Sequence, residues 1–196
     1  NLPARVREYR DRRRRETALA GLRDKLLALF EGRFGRAERL AKSALGDRSL
    51  AGAASLVAAR AAHRMREAER RDRWLESAGE EKGAANAQLM TAAELAVEDH
   101  RPADAVAAIE ALQAGGPRHI HALRIALRAH EQSGDWSALL QALRQIEKRD
   151  AMHPAAIHGL KIRAYRALFA ARREDANAVQ QLFASLAPAD RDVDEI

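Results

Sequence analysis

The chain has 196 residues, enough for one domain or two small ones, with 32% charged side chains and a net charge of +6. Its apolar content is 45 Ala and 23 Leu against 13 Val plus Ile and 8 aromatics, so helix formers abound and sheet formers are scarce. This composition disfavours a sandwich, a barrel or a doubly wound sheet, and the zero cysteines exclude disulfides, thiolate metal sites and a cysteine nucleophile.

The first predicted element, residues 1–17, is a basic arm. Arg5, Arg7, Arg10, Arg12, Arg13, Arg14 and Arg15 face only Glu8, Asp11 and Glu16 there, a net of +4, which leaves +2 for the other 179 residues. Three readings suit such a block: a solvated helix end, a segment lying on anionic lipid, or a nucleic-acid arm. Each basic residue near an anionic surface contributes about 1 kcal/mol. Nucleic-acid binding also calls for stacking aromatics or a recognition helix, and only Tyr9 lies nearby, so no nucleic-acid partner is expected. No run reaches the roughly 18–20 apolar residues that span a bilayer. The chain opens at Asn1-Leu2-Pro3 without an initiator Met and ends at Asp192-Val193-Asp194-Glu195-Ile196, as expected of part of a longer protein.

Residues 18–153 read as four helical hairpins of 34 residues, starting at 18, 52, 86 and 120. The turn Gly32-Arg33-Phe34 recurs 102 residues later as Gly134-Asp135-Trp136, with Arg66-Glu67-Ala68 and His100-Arg101-Pro102 between them at the same spacing. Four columns align: Phe34, Ala68, Pro102, Trp136; Ala37, Arg71, Ala105, Leu139; Ala41, Leu75, Ile109, Leu143; and Ala44, Ala78, Leu112, Ile146. Unit three places Leu89, Ala92, Ala93 and Ala96 on one helical face, and unit four places Leu123, Ala126, Leu127 and His130 there. Unit one departs, because its usual core positions hold Gly21, Asp24, Lys25 and Ala28. The stripe Leu19, Leu22, Leu26, Leu29 and Phe30 instead predicts a rotated first helix. Unit two departs by holding Arg71 where a small residue is expected. Residues 154–196 predict a fifth, irregular hairpin acting as a cap or a lead-in to further repeats. Its first helix carries Ile157, Leu160, Ala164, Tyr165 and Leu168, its break spans 172–175, and its second helix carries Val179, Leu182, Phe183 and Leu186.

A period of 34 with small residues at close contacts is the tetratricopeptide pattern, which predicts an all-α, right-handed superhelix of antiparallel helical hairpins, an α-solenoid. In such arrays the first helix of each unit lines a concave groove. Here that groove would present Arg60, His63 and Arg64 from unit two, Glu94 from unit three, His121, Arg124 and Arg128 from unit four, and His158, Tyr165 and Arg166 from the fifth hairpin. Arg60, Arg64, Arg124 and Arg128 suit a carboxylate or an acidic peptide through bidentate contacts, against the plainer reading of a solvated arginine-rich face. No phosphate loop, nucleophile elbow or His-Glu-x-x-His occurs, so no enzyme is expected. His119 and His121 at i, i+2 point about 200° apart on a helix, and His153 and His158 at i, i+5 are no better placed, so no metal is expected.

Leu2-Pro3-Ala4-Arg5-Val6-Arg7-Glu8-Tyr9-Arg10 leads through the arginine run into Leu26-Leu27-Ala28-Leu29-Phe30-Glu31-Gly32-Arg33-Phe34, followed by Ala37-Glu38-Arg39. With Ala58-Ala59-Arg60-Ala61-Ala62 and Gly134-Asp135-Trp136-Ser137-Ala138-Leu139-Leu140, these segments resemble the HemY family, tetratricopeptide proteins associated with haem biosynthesis in proteobacteria. The resemblance implies two transmembrane helices preceding Asn1, an arm obeying the positive-inside rule, and a repeat domain at the inner membrane facing the cytoplasm. It implies a non-catalytic scaffold near a late step of haem synthesis, with haem-pathway enzymes as partners and an anionic membrane under the arm. It implies no flavin oxidase activity, since no flavin fingerprint is present. Two alternatives stand beside the scaffold: a generic adaptor in another envelope process, and a carrier binding haem or porphyrin directly.

Overall fold

The structure, a computed structural model, describes residues 2–45, 48–81, 83–116, 119–186 and 188–191. Its described residues are helices and turns: α1 (Leu2–Phe30), α2 (Phe34–Ala44), α3 (Arg48–Arg64), α4 (Ala68–Gly79), α5 (Ala85–Glu98), α6 (Pro102–Ala114), α7 (Ile120–Ser133), α8 (Trp136–Glu147), α9 (Pro154–Ala170), α10 (Ala176–Ser185) and α11 (Pro188–Arg191). The chain divides into two units, 1–95 and 96–196, and the division falls within α5.

One turn is used four times. Gly32, Arg66, His100 and Gly134 all adopt left-handed backbone, with φ of 75°, 61°, 54° and 70°, and stand 34 residues apart. At each, the next amide reaches back five residues: Arg33 to the Ala28 carbonyl, Glu67 to Ala62, Arg101 to Ala96 and Asp135 to His130, at 2.8–3.0 Å. This Schellman closure satisfies carbonyls that a helix end leaves unpaired. Glycine takes the conformation freely at 32 and 134, whereas Arg66 and His100 hold it against the clash of their own Cβ. The helices that follow begin at Phe34, Ala68, Pro102 and Trp136, one aligned column. The other three columns, from Ala37, Ala41 and Ala44 to Leu139, Leu143 and Ile146, are buried at every position.

In unit 1, α1 packs on α2 and α3, α2 on α3, and α3 on α4. The core is mostly alanine: Ala41, Ala44, Ala54 and Ala58 cluster under Trp74, and Ala28, Ala37 and Ala61 cluster beside Leu29, Phe34 and Leu40. Alanine side chains let backbones approach closely, and Gly52 shows how closely: a Cβ there would sit 2.7 Å from the Ala84 Cβ. In unit 2, α6 packs on α7, α7 on α8, and α8 on α9. That core interdigitates Leu123, Leu127, Leu139, Leu143, Ile146, Ile157, Tyr165 and Leu168. Each such side chain is worth about 1.5–3 kcal/mol when buried, far more than an alanine methyl.

Unit one's first helix is not rotated. α1 runs unbroken through the arm and the hairpin, and it turns Lys25 and Ala28 inward while Leu19 and Phe30 stay exposed and Leu22, Leu26 and Leu29 are half-buried. The repeated turn explains this, because closing on the Ala28 carbonyl fixes which face of α1 meets α2, and the small Ala28 permits the close approach to Ala37 and Ala61. Register set by the turn overrides the leucine stripe, at the expense of burying Lys25 completely, its Nζ without a hydrogen-bond partner. Burial lowers the pKa of that ammonium below its ordinary value. Arg71 is also buried in the column of small residues, with its guanidinium satisfied by both carboxylate oxygens of Asp72 at 2.7 and 3.1 Å.

Candidate functional site

The positions singled out for the groove lie on first helices. On α3, Arg60, His63 and Arg64 share the strip left uncovered by a helix otherwise buried along its length, from Ala51 and Ala54 to Ala61 and Ala62. Arg60 pairs with Glu94 of α5, 34 residues later, so two predicted groove residues meet as an ion pair. A charge held this way is partly neutralised and less available to a ligand.

Unit 2 carries the longer polar stripe. His121, Arg124, Arg128 and Gln132 on α7 are exposed at i, i+3, i+7 and i+11, one face of the helix, while Ala122, Leu123, Ile125, Ala126, Leu127 and Ala129 fill the other faces. Arg124 donates to the Ala151 carbonyl at 2.5 Å, which fixes the turn before α9. Arg163 of α9 reaches Glu131 of α7 at 2.6 Å, and His158 and Arg166 are exposed on α9. The four arginines Arg60, Arg64, Arg124 and Arg128 thus divide between the units, two on α3 and two on α7.

Tyr165 is not a groove residue. It is buried, and its hydroxyl donates to the Asp190 carboxylate at 2.9 Å, while Lys161 bridges Asp190 at 3.1 Å and Glu147 at 3.2 Å. This ties α11 to α9. Burial, and then the Asp190 hydrogen bond, push the Tyr165 hydroxyl up to about 12. For Lys161 burial lowers the pKa, but the hydrogen bonds and charges of Asp190 and Glu147 outweigh it and raise the ammonium above its ordinary value. Val97, three residues after Glu94 on α5, is buried, and its carbonyl accepts from Gln132 Nε2 at 3.0 Å. Phe183 of the last predicted stripe is half exposed, whereas Leu186 is buried.

Arg10, Arg12 and Arg13 of the arm are exposed on α1, beside exposed Val6 and Tyr9. The side chains of Arg5, Arg7, Arg14 and Arg15 lie outside the described residues. His153 caps α9, its Nδ1 accepting from the Ala155 amide at 3.2 Å. Among the described residues no group of three or more His, Asp or Glu side chains could hold a metal ion, and no helix is long and apolar enough to cross a membrane.

Sequence reasoning passed over a cleft of about 290 Å³ between α2 and α4, lined by Glu38, Lys42, Arg70, Arg73, Trp74 and Ser77. Its signal was present as i, i+4 on α2 and i, i+3, i+4, i+7 on α4, but each stripe alone reads as a solvated charged face.

Residues 1–66, the segment holding the arm, α1, α2 and the whole of α3, match the family model of the HemY protein N-terminus. The leading third of the chain is similar to the N-terminal segment of that family. That family is membrane-anchored and associated with haem biosynthesis, and the match covers the arm and the first αL turn at Gly32. No curated protein and no solved structure matches the chain.

Proposed function

We propose that this chain is a non-catalytic scaffold of the HemY family, its hairpins acting as tetratricopeptide-like units of an α-solenoid whose first helices bind haem-pathway enzymes at the cytoplasmic face of the inner membrane. The observation that carries the reading is the α7 stripe of His121, Arg124, Arg128 and Gln132, polar and exposed on a helix whose remaining faces are committed to the core. Such a stripe suits an acidic segment of a partner, since arginine forks bind carboxylates bidentately. Unit 1 contributes less charge, because Arg60 is spent on Glu94.

The arm gives the second contact. Arg10, Arg12 and Arg13 stand exposed on α1, and at a 1.5 Å rise per residue the 29-residue helix is about 43 Å long against about 16 Å for α2. Much of α1 therefore lies beyond the helix it packs on, free to rest on anionic headgroups. Affinity capture from membranes is expected to recover haem-pathway enzymes with the unaltered chain and to lose them with Arg124→Glu plus Arg128→Glu. Equal recovery rejects the stripe as the binding surface. Liposome flotation is expected to require anionic lipid, and flotation indifferent to lipid charge rejects the membrane contact of the arm.

A further inference from the structure

We propose that the α2–α4 cleft of unit 1 binds a small phosphomonoester carried on a flat ring. The cleft draws cations from both walls, Lys42 from α2 and Arg70 and Arg73 from α4; Arg70 is held between Glu38 and, at 3.4 Å, Glu67, which leaves Lys42 and Arg73, a charge of +2, to a ligand. A phosphomonoester carries about −1.5 to −2 at pH 7, which matches that charge, whereas a monocarboxylate leaves a surplus cation. Ser77 adds a hydroxyl to the same wall.

Glu38 does not oppose the anion freely. It is buried, its Oε1 accepts the Trp74 indole N–H at 3.0 Å, and the same oxygen lies 3.8 Å from Arg70 Nε. The carboxylate therefore works as an anchor that fixes the indole and the guanidinium beside each other. With its N–H occupied, Trp74 has only its ring to offer a ligand, and a half-buried ring beside cations suits a planar body bearing the phosphate. Lys42 and Arg73 are exposed, and Arg73 spends only its Nε, on the Glu69 carbonyl at 3.3 Å. A volume of about 290 Å³ lies at the small end of ligand pockets, the size of a small molecule and too little for a helix.

The chain has two tryptophans, so Trp136→Phe leaves Trp74 as the sole fluorescent reporter. Titration of the 196-residue chain with phenyl phosphate is expected to change Trp74 emission saturably, with binding at least about tenfold tighter than inorganic phosphate or benzoate. Lys42→Glu plus Arg73→Glu, two exposed positions, is expected to weaken phenyl phosphate at least about tenfold with unchanged helicity. Calorimetry on the unaltered chain is expected to give the same ranking of the three probes. No saturable change up to about 10 mM overturns the site. Equal binding by the double variant overturns the cationic lining, benzoate equal to phenyl phosphate overturns the dianion, and inorganic phosphate equal to phenyl phosphate overturns the ring.

Discussion

Units 1 and 2 use one turn and two kinds of core. Unit 1 packs alanine against alanine, which lets backbones meet closely but buries little apolar area per residue, and it carries a fully buried Lys25 and a buried Arg71 within that packing. Unit 2 packs leucine, isoleucine and a tyrosine, and the buried Tyr165 and Asp190 and the partly buried Lys161 satisfy one another. The contrast teaches that a 34-residue turn geometry can be held constant while the core between turns ranges from close and thin to thick and interdigitated.

The largest expected break falls in unit 2. Leu143→Ala opens a cavity in the thick core and is expected to cost about 2–5 kcal/mol in chemical denaturation, with the loss of amide protection concentrated in α7–α9. Next in size, and opposite in sign, is Lys25→Met. It replaces a buried, unpartnered ammonium by an apolar chain of similar length and is expected to stabilise by about 1–4 kcal/mol, read in α1–α3. A Lys25→Met chain no more stable than the original contradicts the burial of the ammonium.

Gly52→Ala follows. A helical Gly→Ala exchange on an open surface stabilises by about 1 kcal/mol, but here the new Cβ lands on the Ala84 Cβ, so the exchange is expected to destabilise by about 1–3 kcal/mol. Titration separates the units by direction. The pKa of Lys25 is lowered in the fold, so the unfolded chain holds more protons and the stability of unit 1 is expected to rise with pH up to about 10.5. Lys161 and Tyr165 are both raised, so their contribution to unit 2 is present below pH 10 and lost as pH climbs from about 10 to 12. Hydrogen exchange corrected for intrinsic pH dependence resolves the two slopes, and parallel slopes contradict the assignment. The smallest effect belongs to the shared turn: Arg66→Gly and His100→Gly relieve left-handed strain and are each expected to stabilise by at most about 1 kcal/mol, alike in both units.

The turn period and the three buried columns were legible in the sequence because small residues and left-handed positions recur at fixed spacing. The face of α1 was not. Leu19 to Phe30 form a better apolar stripe than Lys25 and Ala28, and only the closure of the Gly32 turn on Ala28 shows why the poorer stripe faces inward. Tyr165 was misplaced because its partner Asp190 lies 25 residues away, beyond any local pattern. The pairing of Arg60 with Glu94 joins residues 34 apart, a spacing the turn period contains, whereas the α2–α4 cleft needed two charged faces brought together in space.

The proposed binding of haem-pathway proteins by the polar stripe of α7 is open to quantitative affinity capture. Membranes are probed with the unaltered chain, with Arg124→Glu plus Arg128→Glu, and with Lys42→Glu plus Arg73→Glu as a charge-matched control in unit 1. Haem-pathway enzymes are expected to be recovered with the unaltered chain and the control, and reduced at least about tenfold with the α7 variant. Equal recovery by all three, or loss with the control alone, contradicts the proposed binding.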